Sequence, residues 1–545
     1  MLKRLFLFAA VLATLSTSCR MGTQNATEAT DTVSTAAATA PDSAAAAAAD
    51  APAVAKPVLP GDFPDPSVAK VGNTYWATAT SSEWAPLFPL LRSDDLVHWE
   101  TVGHVFPKGM PKWADANFWA PEISYENGKV YIYYTAHKKG GNLCVGVASA
   151  DRPEGPYTDH GPLVCQEVGS IDGFPVRDEN GDLYLVWKED GNSRDLPTPI
   201  WGQRMNEART ALTGEKFELF RNDPKTWEGR LVEGPALVKR GDYFYLFYAG
   251  DACCGRGCTY AEGVARSRSL KGPWEKYAGN PILKGQAGWK CPGHGTVITG
   301  PGDKDYFLYH AYSTDGFVYT GRQGILTPLT WNAEGWPVFP AQALAQRAPA
   351  EGKALDVAEE FSADSLARSW QWPVGQQPKF SVQPAGNGLI TLAARPEKIG
   401  AVLGQRTKTE TYAATAAINP ASISGNEAAG LAAVGDLNNA LGVWVKDGQI
   451  ALWQTKGDTT RTVLQQKLPK GQTVQLRMTA AGGHQYRFAW SPDGTTWNEL
   501  NADKPLDGSY LPPWDRGIRV GLLAKGPAGA DVQFDWFRLS HGQGE

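Results

Sequence analysis

Gly241-Asp242-Tyr243-Phe244-Tyr245 reads as a tight polar turn running into a strand of large aromatic residues, and the first half of the chain is built from copies of it. The same figure stands at Gly72-Asn73-Thr74-Tyr75-Trp76, Gly128-Lys129-Val130-Tyr131-Ile132, Gly181-Asp182-Leu183-Tyr184-Leu185 and Asp303-Lys304-Asp305-Tyr306-Phe307. With Tyr75, Tyr131, Tyr184, Phe244 and Tyr306 as markers, the repeat is roughly 53–62 residues long, near the upper end of propeller-blade lengths. Several markers are followed by a second strand, a polar turn and another aromatic, as in Arg92-Ser93-Asp94 to Trp99, Ala148-Ser149-Ala150 to Tyr157 and Arg266-Ser267-Arg268 to Trp274. Each unit is a small antiparallel sheet. Five of them predict a five-bladed β-propeller over residues 57–345, in which radial closure leaves short edges and a central pocket. One large sandwich with coincidental repeats is the competing architecture.

Residues 346–356 read as a linker, and 357–541 as a second all-β domain without the repeat, a β-sandwich. Leu389-Ile390-Thr391-Leu392, Leu441-Gly442-Val443-Trp444-Val445 and Val532-Phe534-Trp536 are among its strands, and Val474, Leu476 and Met478 alternate with polar residues. At the other end, Lys3 and Arg4 precede an apolar run, Leu5 to Leu15, too short to span a bilayer, followed by Ser16-Thr17-Ser18-Cys19. This resembles a bacterial lipoprotein signal over 1–19, with Cys19 lipidated. A plain secretory signal is the alternative, and both mean export. Residues 20–56, rich in Ala, Thr, Ser, Asp and Pro, lack large apolar groups to bury and are expected to be a disordered tether.

The whole chain of 545 residues has a net charge of -5, which gives no general affinity for nucleic acid, so contact with a membrane is expected only through the N-terminal lipid. Seven cysteines are one for the lipid and six for bridges in an exported protein. One arrangement among fifteen is 144–165, 253–254 and 258–291.

No metalloprotease helix, nucleophile elbow, phosphate loop or dinucleotide fingerprint is present. Hydrolysis in a Trp-rich pocket is then left to carboxylates. Asp65 sits between two prolines in Phe63-Pro64-Asp65-Pro66-Ser67. Asp172 lies in Ser170-Ile171-Asp172 and Glu233 in Val232-Glu233-Gly234-Pro235, each just before a marker strand. Innermost propeller strands line the axis, so equivalent positions of different blades converge there. Any one of the three, taken alone, reads more readily as a solvated turn carboxylate; the three together, each preceding a blade's strand, shift that balance.

Those stretches, with Phe118-Trp119-Ala120-Pro121-Glu122, Gly293-His294-Gly295 and Gly321-Arg322-Gln323, come in the order of the catalytic domain of glycoside hydrolase family 43, which residues 57–340 resemble. The resemblance implies an inverting glycosidase with Asp65 as general base, Glu233 as general acid and Asp172 as the carboxylate that tunes and orients the acid. It also implies that Arg322 contacts substrate. His294 corresponds to an axial histidine that in some members helps hold a central ion, so calcium at the propeller centre is admitted although no cofactor is required. The acid must carry a proton near neutral pH, and the negative charge of Asp172 is expected to raise its pKa. Trp119 and Trp84 are candidate sugar platforms, each with core packing as the rival role. Serine at 82, where xylosidase-like members have an aromatic, tilts the expected sugar towards arabinose.

Residues 357–541 resemble, more weakly, the concanavalin A-like sandwich that follows many family 43 propellers; Trp514 to Leu523 and Phe534-Asp535-Trp536-Phe537 carry the likeness. The expected activity is removal of terminal pentoses, as an α-L-arabinofuranosidase or β-D-xylosidase, from plant cell-wall polysaccharide or oligosaccharide. An endo-arabinanase and a non-catalytic carbohydrate-binding propeller are the alternatives.

Overall fold

The computed structural model describes residues 57–286, 288–340, 355–384, 388–423, 425–469 and 473–542. The leader 1–19 with Cys19, the tether 20–56 and most of the 346–356 linker lie outside the described residues.

Five four-stranded antiparallel sheets follow in chain order. Their first strands are Ser67–Val71, Ala114–Glu126, Ser170–Arg177, Val232–Arg240 and Trp289–Thr299; their second strands are Thr74–Thr78, Lys129–Lys138, Leu183–Glu189, Tyr243–Gly250 and Asp305–Ser313. These are blades one to five of a propeller, and all five marker aromatics fall on second strands. The aromatic run is explained by burial: in Tyr243–Gly250 every residue after the first is buried, because neighbouring blades cover both faces of the sheet. An outer strand such as Thr158–Val164 instead alternates exposed and half-buried residues. The ring is closed by the residues just before blade one. The Val58 and Leu59 N–H groups donate to the Gly324 carbonyl at 2.9 and 3.1 Å, and the Gly324 N–H donates back to Leu59. A Cβ at 324 would sit 2.8 Å from the Leu59 Cβ, so this close pairing requires glycine.

First strands are irregular where they approach the axis. Register shifts occur between Trp119 and Glu122, Ile171 and Phe174, Glu233 and Ala236, and Lys290 and Gly293. A bulge bends its strand and re-aims the local side chains. Asp65, Asp172 and His294 have φ of 50°, 58° and 47°, left-handed values that non-glycine residues adopt at a cost.

Residues beyond 355 form a sandwich of a nine-stranded and a six-stranded sheet. Val474–Ala481 shows the period-two pattern directly, with Val474, Leu476, Met478 and Ala480 buried. The sandwich is fused to blades one and two. Phe88, Phe118 and Tyr134 share one apolar cluster with Leu403 and Leu522, and Trp84–Ala85 pairs with Trp372–Pro373. Trp84 is therefore not a sugar platform: its ring is 1% exposed, packed against Val402 and Leu523, with the Arg519 guanidinium 5.3 Å from its centre. Core packing wins here because the second domain covers the face that a free propeller would present.

Beside this seam lies a buried ionic node. Asp62 Oδ2 accepts from Arg519 Nη2 at 3.1 Å, its Oδ1 accepts from the Arg322 N–H at 3.3 Å, and its carbonyl accepts from Arg406 Nε at 2.9 Å. Asp62→Ala would leave the Arg519 charge buried and unpaired. The expected cost is about 3–5 kcal/mol, read as a lower midpoint of urea unfolding.

Candidate active site

Asp65, Asp172 and Glu233 are all buried and are drawn together by shared partners. Asp65 Oδ1 accepts from Arg322 Nη1 at 2.8 Å and Oδ2 from the Thr80 hydroxyl at 2.6 Å, while the Asp65 N–H donates to His310 Nδ1 at 3.0 Å. The His310 ring stacks on Tyr260 with centres 5.7 Å apart, and the Tyr260 hydroxyl donates to Glu233 Oε1 at 2.8 Å. Asp172 Oδ2 accepts from the Gly234 N–H at 2.9 Å, next to Glu233. His294 Nδ1 lies 3.6 Å from Asp65 Oδ1, and a Cβ on Gly234 would meet the His294 ring at 2.8 Å. Glycine at 234 thus lets blade four pass the histidine of blade five.

The three carboxyls are electrostatically distinct. Burial works to raise Asp65, but the Arg322 guanidinium, aided by His310 and His294, outweighs it and holds the carboxyl well below the usual range. Asp65 is thereby held in its ionised form. Burial pushes Asp172 up to about 6, and the neighbouring Glu233 charge adds to this. Glu233 departs from expectation. Burial favours its neutral form, yet Lys188 Nζ, 2.8 Å from Oε2, prevails and lowers its pKa. Asp172 was expected to raise the acid; here the cation beside Glu233 outweighs that charge and Asp172 takes the upward shift itself.

Arg322 is buried, with Nη1 on Asp65 and Nη2 donating to the Asp515 carbonyl at 3.1 Å, so its hydrogen bonds in this structure go to Asp65 and the sandwich. Trp119 is half-buried at the start of the bulge in blade two, and its ring meets that of Trp514 edge-on with centres 5.9 Å apart. Trp514 comes from the sandwich and is 60% exposed, the most exposed of the large apolar residues. Ser82 is buried, and its N–H donates to the Phe118 carbonyl.

At the axis lies a cavity of about 10 Å³, bounded by Asp65, Glu122, Asp172 and His294 among others, with room for about one water. Burial pushes Glu122 up to about 8 and Glu262 well above the usual carboxylate range, so both are uncharged supports; Glu262 accepts the His294 N–H. Calcium takes six to eight oxygens. Among the described residues no group of three or more His, Cys, Asp or Glu side chains is arranged to hold a metal ion.

Three disulfides form: 144–165, 253–254 and 258–291. The last two brace the segment that carries Tyr260 to Glu233. Lys188, Tyr260, His310 and Trp514 were not singled out from the sequence as site residues. Trp514 stands inside a stretch noted for its likeness to a sandwich; Lys188 and His310 face first-strand residues at register shifts, and Tyr260 lies in the loop before blade four's third strand.

A propeller holding one ionised carboxylate and two carboxyls that share a neighbourhood, with one half-buried and one exposed indole ring in edge-on contact, has the make-up of a carbohydrate-processing hydrolase. Comparison with known proteins agrees. The profile of Glycosyl hydrolases family 43 matches residues 54–337, and that of the Beta xylosidase C-terminal Concanavalin A-like domain matches 358–540. The chain belongs to glycosyl hydrolase family 43, a family of inverting glycosidases. It is 25% identical over 533 residues to a non-reducing end alpha-L-arabinofuranosidase of Bacteroides ovatus, covering 88% of this chain and 93% of that one. It is 26% identical over 416 residues to a xylosidase/arabinosidase of Butyrivibrio fibrisolvens, covering 69% and 76%. A solved family 43 protein of Bacillus licheniformis superposes with a TM-score of 0.75 at 25% identity, over 89% of this chain and 99% of that one.

Proposed function

We propose that this glycosidase removes terminal α-L-arabinofuranosyl or β-D-xylosyl residues from plant cell-wall polysaccharide or oligosaccharide. Asp65 serves as general base, Glu233 as general acid, and Asp172 as the residue that tunes and orients the acid. The observation that carries this reading is the convergence of the three carboxyls, with one kept charged by Arg322 and two competing for a proton. The names of the relatives, which include both arabinofuranosidase and xylosidase, support a pentose in the pocket.

The chemistry follows from the charges. Asp65, ionised and fixed by Thr80 and Arg322, takes a proton from a water that attacks the anomeric carbon. Glu233, once protonated, gives its proton to the departing oxygen on the opposite side. His310, pushed by burial down to about 4, stays neutral and positions the base through its backbone N–H. Trp119 and Trp514 supply flat apolar faces for sugar rings beyond the cleaved bond. No cofactor enters these steps. Assay on aryl α-L-arabinofuranoside and aryl β-D-xyloside tests the reading, and failure to hydrolyse either would refute it.

Export with a lipid on Cys19 is a further part of the proposal, supported by Lys3 and Arg4, the apolar run to Leu15 and the small residues before Cys19. Cys19→Ser is expected to move the enzyme from the membrane fraction to the soluble one. Wild-type enzyme already in the soluble fraction would count against the anchor.

A further inference from the structure

Lys188 reaches from the second strand of blade three into the acid's surroundings, with its side chain 1% exposed. Its Nζ donates to Glu233 Oε2 at 2.8 Å and to Asp190 Oδ1 at 2.9 Å. Glu233 Oε1 accepts from Tyr260. Both oxygens of the acid are therefore accepting, which is the arrangement of a carboxylate and not of a proton donor. The charged and titratable groups facing Glu233 are Lys188, Asp172 from the first strand of blade three, Tyr260 from the entry to blade four's third strand, and His294 from blade five. Asp190 faces Lys188.

Two neighbouring carboxyls in a buried site share a proton as the pH falls, and the nearest cation decides which of them carries it. With the ammonium against Glu233, the favoured place for that proton is Asp172. Asp190 offers the same ammonium a second anion at nearly equal distance, so Lys188 can withdraw from Glu233 without losing its only partner.

We propose that Lys188 is a positioning residue that gates the general acid: paired with Glu233 it holds the shared proton on Asp172, and paired with Asp190 alone it lets that proton pass to Glu233. The inference rests on the reading of Glu233 as the acid. In the step an Asp172 O–H bond breaks, a Glu233 O–H bond forms and Asp172 is left as carboxylate, with no other reactant. When Glu233 then protonates the leaving oxygen its carboxylate returns and Lys188 swings back to it, while Asp65 releases to solvent the proton it took from water and Asp172 takes one up from solvent.

The test is kcat/KM against pH for wild type, Lys188→Met, Lys188→Arg and Asp190→Asn. The substrates are a 4-methoxyphenyl pentoside, whose leaving group needs the acid, and the 2,4-dinitrophenyl pentoside, whose leaving group does not. On the methoxyphenyl substrate, Lys188→Met is expected to move the alkaline limb up by about one pH unit or more. Lys188→Arg is expected to restore it towards wild type, and Asp190→Asn, which leaves the ammonium to Glu233 alone, to move it down. An unmoved limb in Lys188→Met overturns the proposal, as does an equal shift on the dinitrophenyl substrate. If Lys188→Met does not fold, Asp190→Asn decides, and an unmoved or rising limb overturns the proposal. Glu233→Gln on both substrates separates the two failures. Equal losses remove the acid assignment and this inference with it; a loss confined to the methoxyphenyl substrate, beside an unmoved Lys188→Met limb, removes only the gate.

Discussion

Glu233→Gln is expected to lower kcat/KM by about 10²–10⁴-fold on an aryl pentoside with a poor leaving group, the range a positioned general acid contributes. The amide keeps the shape of the side chain and can still accept from Tyr260, and Asp190 remains as the anion for Lys188, so the fold should survive the change. The proton it cannot supply matters only where the departing oxygen is basic. A dinitrophenolate leaves without protonation, so the loss on a dinitrophenyl pentoside is expected to be far smaller. Plotting log kcat/KM against leaving-group pKa is the check: the mutant line should be steep where the wild-type line is shallow. Parallel lines would remove Glu233 from the acid's role.

Asp65→Asn is expected to be as damaging, but on every substrate. The attacking water needs a base whatever the leaving group is, so the loss should fall at the upper end of the same range, about 10⁴-fold, on methoxyphenyl and dinitrophenyl pentosides alike. A second effect accompanies it. Arg322 is buried, and its Nη1 faces the oxygen that loses its charge. Breaking a buried pair from one side costs about 3–5 kcal/mol, so the variant should also unfold at lower urea. Measuring activity well below the unfolding midpoint separates the catalytic loss from the structural one. A fall confined to poor leaving groups would contradict the assignment.

How far the sequence reading reached depended on whether a feature was local. The turn-aromatic repeat was readable because the second strand of each blade is buried on both faces, which imposes the same run of large apolar residues on every unit. Asp65, Asp172 and Glu233 were readable because each stands at a fixed place relative to a marker strand. Trp84 and Lys188 were not. Whether Trp84 meets a sugar or a core is settled by Trp372, nearly three hundred residues away, and nothing near position 84 encodes that pairing. Lys188 lies on a marker strand between Trp187 and Glu189, where a lysine would ordinarily reach solvent. Its inward course follows from the bulge between Ile171 and Phe174 and from an anionic partner in blade four. The charge of Glu233 was misjudged for the same reason: Asp172 was visible as a neighbour and the cation was not.

The sandwich is tied to the carboxyl cluster by hydrogen bonds. Through Arg519 it anchors Asp62, which holds the backbone of Arg322, and through the Asp515 carbonyl it holds the guanidinium that keeps Asp65 charged. It also brings Trp514 up against Trp119.

The most direct test of the account is proton NMR of the first sugar released by the wild-type enzyme from aryl α-L-arabinofuranoside or aryl β-D-xyloside, recorded before mutarotation. A base that activates water opposite the acid requires the free pentose to appear first as the anomer opposite to that of the substrate. Release of the same anomer, or of no pentose from either substrate, would contradict it.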